Sequence, residues 1–136
     1  MLTDKEIEEG KKVTQYSLPP YHEHNDCIRI AYEWLDGKEK TKYPSKRCSP
    51  LKHIIEHWAW RYVSRTDIEV AATLHPDVHG QYPHYNISVR RIDPPIGRLD
   101  GIGEAFTQMN YCKKDPTSGQ GSQGTEQPTR GPFGLI

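Results

Sequence analysis

Seven histidines and three cysteines are the groups best suited to chemistry in this chain of 136 residues. The run His53-Ile54-Ile55-Glu56-His57 has the order H-x-x-E-H. Two imidazoles four residues apart share one face of a helix, where they can grip zinc with a carboxylate beside them. Hydrolysis at such a centre also needs a third ligand and an enclosing cleft, and a zinc peptidase needs a chain several times this long. A structural zinc site drawn from His22, His24, Cys27, Cys48, His53 and His57 has suitable ligand types. Its spacing is wrong: there is no C-x2-C pair, and C-x20-C-x4-H fits no common finger.

Nucleophilic and phosphate-binding motifs are also missing. No G-x-S-x-G is present, and Gly97, Gly101 and Gly103 are too irregular for a nucleotide loop. Cys112 has only Lys113 and Lys114 nearby in sequence to lower its thiol pKa. The residues therefore point to a binding protein without cofactor, metal or catalytic constellation.

Charge carries the stronger signal. Eighteen Lys and Arg balance eighteen Asp and Glu, but the basic residues are clustered. Lys38, Lys40, Lys42, Lys46, Arg47 and Lys52 stand against Glu39 alone, and Arg90, Arg91 and Arg98 form a second group. Tyr82, His84, Tyr85 and Asn86 directly precede that group. A zero total can thus hide a basic face of the kind that phosphate neutralisation requires.

The elements that must position these groups follow from periodicity. Residues 1–20 read as an arm, with a short acidic helix starting near Thr3 and stopped by Pro19-Pro20. In residues 25–36, Cys27, Ile30, Ala31, Trp34 and Leu35 make one helical stripe, closed by Gly37. A second helix opens at Ser49-Pro50 with Leu51, Ile54, Ile55, Trp58 and Tyr62 on one face. A third opens at Ser64-Arg65-Thr66-Asp67, in the order of a capping box, with Ile68, Ala71, Ala72 and Leu74 facing inward. Residues 85–92 suit helix or strand equally, and Pro94-Pro95 end them. A turn of helix and a strand reaching about Tyr111 are expected after Ile96. The fold class is mainly α with a small late β element.

Only 34% of residues are apolar or aromatic, with eleven Gly and eleven Pro, so the core is lean and the chain rich in loops. No apolar run approaches a membrane span. The polar N-terminus and scattered cysteines lead us to expect a cytoplasmic protein with reduced thiols. Residues 21–114 form the expected domain. Residues 115–136, rich in Gly, Pro, Ser and Gln, are expected to be a disordered tail ending in an apolar Phe133 to Ile136.

Residues 66–74 resemble the first helix of a helix-turn-helix, and Asn86-Ile87-Ser88-Val89-Arg90-Arg91 resembles the start of a recognition helix. Residues 96–105 resemble the end of that helix and the first wing strand. Residues 51–111 are thus similar to a winged helix-turn-helix DNA-binding domain, and the resemblance implies α+β architecture and a helix laid in the major groove of double-stranded DNA. It implies that Asn86, Ser88, Arg90, Arg91 and Arg98 reach bases or phosphates, with Lys46, Arg47 and Lys52 on the backbone. Small size, polar tail and basic loop fit a phage or plasmid accessory protein acting in transcription regulation or replication, as a monomer or a homodimer. The alternative is a module that grips a host protein through Tyr43, Trp60, Tyr82 and Tyr85, residue types favoured at interface hot spots. Truncation before Asp115 is expected to leave the thermal transition unshifted; a marked drop in a melting curve would show that the tail docks.

Overall fold

Thr3 starts the first helix, α1 (Asp4–Val13), through a capping box. Its hydroxyl accepts the Glu6 N–H at 3.2 Å while the Glu6 carboxylate accepts the Thr3 N–H at 2.9 Å. The structure is a computed structural model describing residues 1–47, 49–90 and 92–109. The expected tail, with Cys48, Arg91, Tyr111 and Cys112, lies outside the described residues.

The helix α1 does not belong to a free arm. Ile7 is fully buried, and Gly10 abuts Leu74, whose side chain would lie 2.8 Å from an added Cβ. The helix packs on the two helices below rather than projecting from them. Sequence periodicity hid this, because Ile7 and Gly10 are its only buried positions among charged neighbours.

His24 caps α2 (Asn25–Gly37), its Nδ1 accepting the Asp26 N–H at 2.9 Å. The expected stripe from Cys27 to Leu35 is buried as a unit. Gly37 is the last helical residue rather than the cap, and extended Lys38 follows it. The helix α3 (Leu51–Ala59) begins one residue later than Ser49-Pro50 suggests, with Pro50 at the cap position and no side-chain cap. Trp60 then adopts φ 52° and reverses the chain.

The capping box expected at Ser64 is present and opens α4 (Arg65–Leu74). This helix is buried on all sides from Thr66 to Ala72. It lies against α1 and α2. After it, β1 (Gly80–Gln81) and β2 (His84–Tyr85) form a two-residue antiparallel hairpin. Gly80 has φ 110° and lies where an added Cβ would meet the His84 carbonyl oxygen at 2.2 Å, so only glycine fits.

The remaining segment corrects the recognition-helix and wing expectations. No helix forms over residues 86–90, and residues 100–108 form turns rather than a strand. Pro94 explains part of this: its carbonyl accepts the Trp58 indole N–H at 2.9 Å, and Asp93 accepts that of Trp34 at 3.3 Å. These bonds anchor the chain as a strap across α2 and α3. A one-turn 3-10 helix, Ile96–Leu99, follows. Farther on, Phe106 and Gln108 donate their backbone N–H groups to the Ala59 and Trp60 carbonyls, leaving no use for a strand partner. Among the described residues the architecture is four α-helices with one small antiparallel sheet. Among the described residues no helix is long and apolar enough to cross a membrane.

If α1 is integral, Ile7→Ala should cost about 2–5 kcal/mol in denaturant unfolding. An unchanged midpoint would mean that α1 is an appendage.

Candidate nucleic-acid interface

Two basic segments far apart in sequence meet through their backbones. Thr41 donates its N–H to the Asn86 carbonyl at 2.9 Å, Ser45 to Tyr85 at 3.1 Å, and Ser88 to Glu39 at 2.8 Å. Lys40 and Ile87 form an antiparallel bridge between them. This pairing brings Arg47 and Arg90 to one shallow cleft, which they line with Ser45, Ser49 and Ser88, and exposed Lys46 directly precedes Arg47 in the chain. Its free volume is close to 30 Å³, about that of one water in the liquid. The cleft is therefore too small to enclose a drug-sized ligand. Asp93 also lines it.

The structure sorts the sequence-derived candidates by availability. Lys46, Arg47 and Arg90 are exposed, and none has an ion-pair partner among the described residues. Ser88 is half-buried, and its hydroxyl accepts the Arg90 N–H at 3.2 Å. Asn86 is buried: its amide donates to the Asp77 carbonyl at 2.9 Å and the Thr41 carbonyl at 3.3 Å, and its side-chain oxygen accepts the His79 N–H. It staples the loops together and offers nothing to a base. Lys52 donates to Glu56 at 2.8 Å and lies over the Tyr62 ring. Arg98 pairs with Asp36 at 2.8 Å and Glu33 at 3.2 Å. Arg91 lies outside the described residues.

Lys38, counted with the basic loop, is also internal. It is 7% exposed, and its ammonium donates to the Arg90 and Ile92 carbonyls at 2.7 and 3.0 Å while sitting over the Trp34 ring. It fixes the backbone that carries Arg90. Lys40 is similarly occupied with the Asp36 and Lys38 carbonyls, and burial lowers its pKa. Of the aromatic alternative set, Tyr43 is 70% exposed, Trp60 and Tyr82 are half-buried, and Tyr85 is buried.

The metal candidates are committed elsewhere. His22 Nδ1 meets Asp67 at 2.7 Å and its Nε2 meets the Tyr16 hydroxyl at 3.2 Å. Burial and the nearby Asp67 and Glu69 carboxylates raise the Tyr16 pKa, so this Asp–His–Tyr line is a clasp and not an activated nucleophile. Burial pushes the Cys27 thiol up to about 12, and its S–H donates to the Tyr62 carbonyl. Glu56 of the H-x-x-E-H run accepts from Lys52 and from the Val63 N–H. Among the described residues no group of three His, Cys, Asp or Glu side chains is placed to hold a metal ion. Sequence spacing could not show the Asp67–His22–Tyr16 line, since its members are brought together from α4 and the loop before α2.

Comparison of the chain with protein-family models, curated proteins and solved structures gave no match.

The hydrogen bond from His75, with Arg98 alongside, holds the Asp36 carboxyl below its ordinary 3.8. A lowered carboxyl pKa stabilises the fold above its unfolded value and loses that effect as pH falls through the folded one. Asp36→Asn should therefore destabilise the protein at neutral pH and progressively less in acid below the ordinary value. A stability difference that stays constant from neutral pH to strong acid would refute the linkage.

Proposed function

We propose that this chain binds duplex DNA along its phosphate backbone, through the face built from residues 40–47 and 86–90. The observation that carries this reading is the backbone pairing that brings Arg47 and Arg90 to one cleft, with exposed Lys46 next to Arg47 in the chain, none of the three having an ion-pair partner among the described residues. Of the other cations expected at this face, Arg98 and Lys52 balance acids within the molecule and lie outside this set. Phosphate contacts position a protein without reading sequence. The reading therefore assigns the face to sequence-tolerant binding, and the winged-helix mode of base readout falls away with Asn86 buried.

A second reading rests on Tyr43, Val89 and Ile92, which are 70%, 46% and 65% exposed on the same two segments. Large apolar side chains beside unpaired cations suit an acidic protein surface. The two readings differ in salt response and in the class of ligand.

Fluorescence anisotropy with a random duplex at low salt decides between them. The parent should bind, with affinity falling steeply as salt rises. Replacing Lys46, Arg47 and Arg90 with Ala should flatten the log K against log salt slope by about two to three, at roughly 0.9 per lost phosphate contact. Arg98→Ala should leave that slope alone. Absence of duplex binding by the folded parent at low salt would hand the face to the protein-binding reading.

A further inference from the structure

Beyond the basic face, a groove of about 690 Å³ runs between the segment after α1, the outer side of α4 and the β1–β2 hairpin. This is the size of an ordinary small-ligand site. Tyr16, Tyr82 and Tyr85 supply its aromatic surfaces, and Arg65 and Glu69 its charges.

These two charged side chains are incompletely paired. Glu69 is only 7% exposed; its Oε2 accepts the Ser17 hydroxyl at 2.7 Å, whereas its Oε1 has no donor among the described residues. Arg65, one helical turn earlier on the same face, has a buried Nε–H with no acceptor among them. Its guanidinium sits 4.6 Å from the Tyr82 ring centroid. Buried polar atoms in native proteins are almost always partnered, so an orphaned donor and an orphaned acceptor together at one groove call for an explanation.

We propose that the groove binds a nucleobase edge-on, with a base amino group donating to Glu69 Oε1 and the neighbouring ring nitrogen accepting from Arg65 Nε. A flat heterocycle with a donor beside an acceptor matches the two orphans in one ligand. The groove carries one cation and one carboxylate, Arg65 and Glu69, a lining that suits a neutral base with a donor and an acceptor better than a phosphate or a simple cation. Half-buried Tyr16 and Tyr82 offer ring surface on which a base can stack. Because Tyr82 covers the guanidinium, a base enters by stacking on that ring or by displacing it.

The groove also adjoins the proposed backbone face. Tyr85 lines both, while Tyr82 faces the groove and its neighbour Pro83 the basic cleft. The base can belong to a free nucleoside or to an unstacked nucleotide whose phosphates lie across the hairpin. Only the second source rests on the nucleic-acid reading above.

The test titrates the full chain with adenosine and with purine riboside, which differs only in lacking the exocyclic amino group, using calorimetry and ligand-observed NMR. Adenosine should bind saturably and purine riboside roughly tenfold more weakly or worse, since a site built for a hydrogen bond rejects a ligand lacking it. Arg65→Met and Glu69→Gln, each confirmed folded by thermal melting, should each weaken adenosine by a similar factor. Equal affinity for the two nucleosides, no saturation at millimolar adenosine, or unchanged binding in both variants would overturn the assignment. An oligodeoxyadenylate arm separates the sources. If Arg47→Ala/Arg90→Ala weakens the oligomer and spares adenosine, the groove takes a base from a strand; if it spares both, the site is one for free nucleosides. Duplex binding without adenosine binding removes the groove proposal alone, and adenosine binding without duplex binding removes the backbone reading alone.

Discussion

The carboxylate of Asp67 has no exposed surface, and it ties the start of α4 to the connection between α1 and α2. One oxygen accepts the Ser64 N–H at 2.9 Å and closes the capping box of α4; the other meets His22 at 2.7 Å. Through His22 it reaches Tyr16, whose hydroxyl donates to the last turn of α1 at the Lys11 carbonyl. The Ser64 and Thr66 hydroxyls, beside it, both donate to the Tyr21 carbonyl. A buried carboxylate is costly unless fully hydrogen-bonded. Its partners here come from α4 and the α1–α2 connection, so removing any one leaves a buried charge short of a bond. That shared requirement keeps the loop of residues 14–24 on α4 despite Pro19-Pro20.

Local rules were most legible where one residue decides the outcome. The Ser64–Asp67 box and the Cys27–Leu35 stripe could be read from spacing because capping and helical periodicity act over three or four residues. The role of α1 could not, because its contribution to the core rests on Ile7 and on the absence of a side chain at Gly10. Residues 85–92 gave no clear period. The conformation of residues 85–90 is set instead by Asn86 bonding to Thr41 and Asp77, and by the indoles of Trp34 and Trp58 bonding to Asp93 and Pro94 beyond them.

The candidate site divides along the same line. Sequence located two basic clusters and could not say that they adjoin, since their adjacency is a backbone pairing between segments some 45 residues apart. It also could not separate cations that serve the fold from those that face out. Lys38 and Arg90 look alike in sequence, yet one is buried and holds the carbonyl of the other. Burial decides which charge is available, and burial is a property of the whole packing.

The pairing of residues 40–45 with 85–88 also has a thermodynamic side. A flexible basic tail keeps its charges together whether the protein is folded or not, whereas this face exists only once both loops are in register. A polyanion that needs the assembled face binds the native state and not the unfolded chain. By mass action it must then raise the free energy of unfolding, by about 2.7 kcal/mol at a ligand concentration one hundred times Kd. A polyanion held across both loops would by the same linkage oppose their separation, so the stabilisation and the integrity of the face would be lost together.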